Sequence, residues 1–308
     1  MFEISVNLAT HNRASYLEAC LVSLCEQTLC STRYEICVVN NACTDETSDV
    51  VVAVAARYPR HRLFMVSEPV AGLSRARNRG IAETSAPLIA NIDDDATANP
   101  AWLECFLTRF ESLLDDVAAI GGEITPVWQA PPPEWLDAWM KGALSAASNM
   151  GAVPRFIEPH EGLFEGNTCY RRSALLSVGK FPVELGRVNN LLLSGEGAVN
   201  AVLRHQGWRL FFEPAASINH VIHAERLKPE WLRKRMFWQG VSDYAMHAYY
   251  QRYGLETVGQ INLDLPMDQK DWAFVNQNTV ENLGKNLKKL ECLGFILAMS
   301  GLIPINTP

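Results

Sequence analysis

Three consecutive carboxylates, Asp93-Asp94-Asp95, follow the apolar run Leu88-Ile89-Ala90 and precede Ala96-Thr97-Ala98. Such a cluster at the end of a buried strand repels itself and costs desolvation energy, so a fold keeps it where something cationic neutralises it. A hard divalent cation carrying a diphosphate meets that need. A solvated acidic turn is the bland alternative. Other chemistry-bearing groups are spread along the chain. They are Thr10-His11-Asn12-Arg13, Asn40-Asn41, the arginines of Gly72-Leu73-Ser74-Arg75-Ala76-Arg77-Asn78-Arg79-Gly80, Glu165-Gly166-Asn167, Glu196, and His220 with His223.

The elements that must position these groups alternate in type. Ile4–Ala9, Tyr34–Val39, Arg62–Val66 and Leu88–Ile92 read as strands, and Tyr16–Leu29, 44–56 and Leu73–Glu83 carry helical signals between them. Repeated strand–helix units imply a mostly parallel α/β sheet with helices on both faces. Ligands of such sheets bind beyond the carboxyl ends of the strands. Four polar sets, Thr10–Arg13, Asn40–Asp45, Glu68–Gly72 and Asp93–Asp95, fall at those ends and are expected to converge on one edge. The chain has no phosphate loop of the Walker type and no GxGxxG after its first strand, which argues against a P-loop or a dinucleotide fold.

The totals narrow the class. With 308 residues, 48% hydrophobic and 20% charged, the chain is an ordinary globular protein. A net charge of −7 argues against a nucleic-acid partner. The N-terminal stretch reads as a strand and not as a signal peptide, and no apolar run is long enough to span a bilayer. Eight cysteines show no CxxC and no zinc spacing, so they read as reduced thiols, and a cytoplasmic location is expected.

Taken together, Val6–Arg13, Val39–Asp45, Gly72–Gly80 and Asp93-Asp94-Asp95 resemble the motifs of the family-two glycosyltransferases in order and spacing. The resemblance implies a GT-A fold and an inverting enzyme that uses a nucleotide-sugar. By position it assigns Thr10, Asn12, Arg13 and Asn41 to the nucleotide pocket, usually for uracil. Asn40 stands where the family carries Asp. Arg75 and Asn78 fall three apart on the third helix, and Arg75 is expected on the diphosphate, with Arg77 and Arg79 on a solvated face. Asp93 and Asp94 would lie around ribose and metal. The metal, Mn²⁺ or Mg²⁺, would sit on Asp93, Asp95 and His220, with His223 a close competitor.

In the second half, Leu163–Arg172 resembles the family motif that lines the sugar and acceptor site, with Glu165, Gly166 and Asn167 as candidates. Pro131-Pro132-Pro133 leads into a short helix with Trp135 and Trp139. It is expected as a loop over the acceptor side, with Trp135 against the acceptor or, equally, in the core. Leu193–Ala198 matches the motif that supplies the general base, which would be Glu196; Gly197 replaces the second acid usual there, and Glu165 is an alternative base. Beyond residue 224 the chain turns basic and aromatic, with Arg226 or Arg233 as candidates to reach the diphosphate. The segment 280–305 reads as an interfacial amphipathic anchor, or else as a helix packed on its own domain or on a dimer partner.

The expected organisation is therefore a nucleotide-sugar half over 1–100, an acceptor half over 101–223, and a C-terminal helical extension over 224–308. The expected function is metal-dependent sugar transfer, most simply from a UDP-sugar to a hydroxyl of a glycan or lipid-linked acceptor. The alternatives are a noncatalytic sugar-nucleotide-binding subunit, motivated by Gly197, and a sugar nucleotidyltransferase.

Overall fold

The computed structural model describes residues 1–146, 150–186, 195–255 and 283–302. The first half alternates β1 (Ile4–Thr10), α1 (Ala14–Cys25), β2 (Tyr34–Asn41), α2 (Thr47–Arg57), β3 (Arg62–Glu68), α3 (Leu73–Glu83) and β4 (Leu88–Asp93). It continues with β5 (Ala96–Ala98), α4 (Trp102–Ser112), β6 (Val117–Trp128), α5 (Ala138–Ala143) and β7 (Arg155–Phe156). Then come β8 (Asn167–Arg171), α6 (Arg172–Ser177), α7 (Gly195–His205), β9 (Arg209–Ile222), α8 (Pro229–Arg252) and α9 (Leu283–Met299).

One sheet holds these strands in the order β3-β2-β1-β4-β8-β6-β9-β5, with β7 on β9. The strands from β3 to β4 are parallel, β8 runs against both β4 and β6, and β6 and β9 are parallel to each other. The sheet is thus parallel on its first side and mixed beyond β4. β1 and β2 are buried almost throughout, because helices cover both of their faces. Trp102, Phe106, Tyr34, Leu8 and Leu17 fill one core layer, and Tyr170, Phe181, Phe212, Val199 and Leu203 fill another.

Local chemistry explains how the helices are set. Asp45 accepts from Thr47 N (3.2 Å) and Thr47 Oγ1 (2.6 Å), and its other oxygen accepts from Ala14 N at 2.9 Å. One carboxylate therefore anchors the first turns of both α1 and α2, where the helix dipole favours negative charge. α2 starts at Thr47, after the Thr44-Asp45-Glu46 run expected to open it, because Asp45 is used in that turn. Asn7 of β1 donates to the carbonyl of Arg77 at 3.0 Å, and Gly80 leaves room for Asn7 where a Cβ would collide with it. These two features press α3 onto the sheet.

α8 and α9 cross closely at Gly240 and Gly294, where a Cβ would collide with the carbonyls of Glu291 and Phe237. Leu283, Leu287, Leu290 and Leu293 of α9 are buried, so this stripe packs within the chain, as in the own-domain alternative, and does not face a membrane. No described helix is long and apolar enough to cross a membrane. All eight cysteines are free thiols.

Candidate active site

Strand pairing brings the polar strand ends to one edge: Thr10 lies beside Asn40, Ala9 beside Asp93, and Asn41 beside Glu68. A cavity of about 460 Å³ opens there. The β1 end, the Asp triplet and the α3 start form its floor. Its far wall comes from the α5 end (Gly142–Ser145), Glu165-Gly166, His220 and the α8 region (Arg226, Trp231, Arg235).

Asp95 is the hub. It is buried and meets Arg13, His223 Nε2 (3.1 Å), His220 Nε2 (3.3 Å) and Arg226 (3.6 Å). Burial works to raise its carboxyl pKa, but hydrogen bonds from His220 and His223 and the charge of Arg13 win and hold it far below the usual range. Asp94 also touches Arg13, at 3.1 Å, yet burial outweighs that partner and pushes its pKa up to about 6. Arg13 stands at the N-cap of α1; burial works to lower its pKa, and the three aspartates raise it instead. His220 is raised as well, burial opposing and Asp95 prevailing.

The donor set fits a divalent cation. Ligand atoms of Asp93, Asp95 and His220 lie within 4.8 Å of one another. His220 Nδ1 faces the Ser145 carbonyl at 3.0 Å, so in the neutral ring the proton sits on Nδ1 and the Nε2 lone pair points to the aspartates. Two carboxylates and one imidazole are compatible with a divalent metal ion. Gly166 lies against Asp93, and a Cβ there would collide with the Asp93 carboxylate.

The arginines of α3 exchange the positions expected of them. Arg75 is exposed and does not line the cavity. Arg77 is 4% exposed, lines the cavity, pairs with Asp93 at 3.1 Å and forms a closer ion pair with Glu165. The cause is helical phase. The face pressed on the sheet carries Ser74, Ala76, Arg77, Gly80 and Ile81, and Arg75 lies outside it. Arg79 is on the solvated face, as expected, paired with Glu83. The small residues Ser74, Ala76 and Gly80, which mark the face of closest approach, were the signal that could have singled out Arg77.

Several expected contacts are taken by the protein itself. Asn12, at φ 53°, uses its carbonyl oxygen on Thr44 N (2.7 Å) and does not line the cavity. Asn41 lines the cavity, but its amide accepts from Gly72 N (2.8 Å) and donates to the carbonyls of Glu68 and Val70. Asn78 is held by reciprocal hydrogen bonds with the backbone of Phe181. Asn167 is 1% exposed; it accepts from Trp102 Nε1 (2.7 Å) and donates to the carbonyls of Glu123 and Ala216, which leaves no bond for a sugar. Trp135 packs beside Leu136 and Met140 in a core cluster, and the α5 end takes the wall position instead. Arg233 is buried away from the cavity, and Arg226 reaches Asp95.

Thr10, Arg13, Asn41, Asp93, Asp94, Asp95, Glu165, Gly166 and His220 thus converge on one cavity, whereas Asn12, Arg75, Asn78, Asn167 and Trp135 do not. Glu196 is the second residue of α7, and its side chain lies outside the described residues. Sequence reasoning missed His11, Arg77 and Arg235 as cavity residues. His11 is fixed there by a 2.6 Å contact between its Nδ1 and the Asn41 carbonyl.

Residues 5–141 match the family model described as Glycosyl transferase family 2. Among curated proteins, the glucosyl-dolichyl phosphate glucuronosyltransferase of Haloferax volcanii is 29% identical over 184 residues, 58% of this chain and 57% of that protein. Validoxylamine A glucosyltransferase of Streptomyces hygroscopicus subsp. jinggangensis is 34% identical over 106 residues, 34% of this chain and 24% of that protein. The chain therefore spans less than three fifths of the length of these relatives. Among solved structures, a mannosyltransferase from Pyrobaculum calidifontis in complex with GDP-Man and Mn²⁺ superposes with a TM-score of 0.61 at 17% identity, covering 97% of this chain and 74% of that one. The S. aureus protein TarS in complex with UDP-GlcNAc gives 0.57 at 13% identity, covering 97% and 92%. At such identities these structures speak to the fold, which is GT-A.

Proposed function

Because the chain belongs to the family-two glycosyltransferases, we propose that it transfers a sugar from a nucleoside-diphosphate sugar, most simply a UDP-sugar, to a hydroxyl of a glycan or lipid-linked acceptor, with inversion and with a divalent metal. The observation that carries the reading is the Asp93–Asp95–His220 cluster at the carboxyl edge of the strands, inside a cavity that also holds four arginines. Charge supports it. The cavity carries Asp93, Asp94, Asp95 and Glu165 against Arg13, Arg77, Arg226 and Arg235, so its fixed charges balance, and a divalent ion would leave the surplus that a diphosphate needs.

When bound, the metal would neutralise the charge that grows on the departing diphosphate. The chain's own residues do the rest. Asp93 and Asp95 would supply carboxylate oxygens to the metal, and His220, steered by the Ser145 carbonyl, an imidazole nitrogen. His220, His223 and Arg13 hold Asp95 ionised. His11 and Asn41, at the ends of β1 and β2, form the wall on which a base would rest. The acceptor proton would pass to a carboxylate. Glu165 is committed to Arg77, which favours Glu196 for that role. The acceptor class is supported by the dolichyl-phosphate-linked substrate in the name of the Haloferax relative.

The test is transfer or hydrolysis with a panel of UDP-, GDP- and dTDP-sugars with and without Mn²⁺. Turnover that depends on metal and is lost in Asp95→Ala is expected; unchanged turnover in Asp95→Ala refutes the mechanism.

A further inference from the structure

Outside the Asp93–Asp95–His220 cluster, the described residues hold a second, partly buried pair of acids. Asp243 of α8 and Glu291 of α9 face one another across the helix pair and share a hydrogen bond. Gly240 brings the α9 backbone at Glu291 against α8, which sets this approach. Along α8 the acid pair connects to the cavity. Arg235, Gln239 and Asp243 are spaced four apart and so stack along one stripe of the helix. Arg235 lines the cavity and donates from Nη1 to Gln239 Oε1 at 2.6 Å. Gln239 Nε2 donates to Asp243 Oδ1 at 2.7 Å.

The order of donors and acceptors is self-consistent. A protonated Glu291 donates to the Asp243 carboxylate, and that carboxylate accepts from the Gln239 amide nitrogen. The Gln239 carbonyl is thereby turned toward Arg235; the flipped amide would set N–H against a guanidinium, two donors facing one another. We propose that Gln239, Asp243 and Glu291 form a hydrogen-bonded relay that positions Arg235 to meet an anionic part of the donor nucleotide. The inference rests on the donor-site reading above. It makes the α8–α9 pair part of the machinery that holds the substrate, with Gln239, Asp243 and Glu291 as positioning residues.

Titration supports the geometry. Burial, then each other's charge, pushes Glu291 up to about 7, and burial pushes Asp243 up to about 6. The charged or titratable groups near the pair are Arg235 and Tyr250 on α8 and Lys288 and Cys292 on α9, with Arg204 of α7 acting on Tyr250. A carboxyl whose pKa is raised on folding stabilises fully below its ordinary value of about 4.3 and loses that contribution as pH rises through the folded value. Here the relay loses its shared proton as pH rises through about 7.

The experiment measures UDP binding with Mn²⁺ by calorimetry on the full chain, with GDP as a second probe. Arg235→Ala should weaken binding about 10-fold, the scale of one charge-assisted hydrogen bond. Gln239→Ala should reproduce that loss, and the double variant should be no weaker than Arg235→Ala alone. Glu291→Gln keeps a neutral donor at the same place. Below about pH 7 it should bind like wild type, and it should lack the weakening expected of wild type above that pH, whereas Glu291→Leu should bind weakly at every pH. Thermal melts against pH give a second readout, with Glu291→Gln flattening the profile. Additive losses in the Arg235 and Gln239 variants, or Glu291→Gln as damaging as Glu291→Leu, overturn the relay. If wild type binds and Arg235→Ala binds as tightly, the relay falls while the donor site stands. If wild type binds neither nucleotide, the donor-site reading falls with it.

Discussion

The sharpest consequence of the structure concerns two arginines two positions apart. Arg77→Ala removes a buried guanidinium that joins Asp93 (3.1 Å) to Glu165, whose side chain is only 5% exposed. Breaking one side of such a buried pair costs about 3–5 kcal/mol, because the remaining charge loses its compensation. Against a typical total of about 5–15 kcal/mol this is a large share. At about 2–4 °C per kcal/mol it corresponds to a fall in melting temperature of roughly 6–20 °C. Arg75→Ala, on the exposed face of the same helix, should stay within about ±0.5 kcal/mol. Neutralising the partner separates charge from packing: Glu165→Gln placed on Arg77→Ala should recover part of the lost stability. The assay is thermal unfolding of the four proteins, followed by UDP and Mn²⁺ binding on those that fold. If Arg77→Ala melts like wild type while Arg75→Ala loses nucleotide binding, the assignment of the two faces of α3 is wrong.

Three further outcomes follow from the same geometry. Asn167→Ala should lower the melting temperature sharply, since Trp102 Nε1 and the carbonyls of Glu123 and Ala216 each lose a partner at about 1–3 kcal/mol apiece; a variant that melts normally but shows only a raised acceptor KM would restore the sugar-binding role. Gly166→Ala should leave unfolding little changed yet weaken Mn²⁺ binding about 10-fold or more, because the added methyl must displace Asp93; isothermal titration with Mn²⁺ checks this, and unaltered affinity would remove Asp93 from the metal set. Gly240→Val should unseat α9, as its side chain collides with the Glu291 carbonyl, and limited proteolysis should then cut between α8 and α9 faster than in wild type; an unchanged digestion pattern would contradict the close crossing.

What could be read from the sequence, and what could not, divides along a physical line. Strand ends were legible, because the apolar runs Ile4–Ala9, Tyr34–Val39 and Leu88–Ile92 must be buried and each stops where polar residues begin. In a parallel sheet all such stops share an edge, so the convergence of Thr10, Asn41 and Asp93 followed from the β-α repeat alone. His220 was reached through the resemblance alone; its pairing with Ala96 across β5 and β9, which sets it beside the triplet, could not be read from the sequence. The asparagines that do not reach the cavity share one cause. A short polar side chain near a site can serve a ligand or its own backbone, and composition does not say which. Asn12, Asn78 and Asn167 are spent on Thr44, Phe181 and the Trp102 region, because loops that bend sharply around a cavity leave backbone groups that need partners. Arg75 was misplaced through phase: a helix of eleven residues with three arginines presents several faces, and only the contact with Asn7 at Gly80 decides which arginine is buried. Arg235 was invisible for the converse reason. Its place in the cavity depends on Gln239 and on acids brought together by a crossing of α8 and α9 that is distant in sequence, so no local pattern could announce it. The sheet therefore builds the end of the cavity that holds Asp93, Asp95 and His220, and the α8 region brings Arg226 and Arg235 to its far wall.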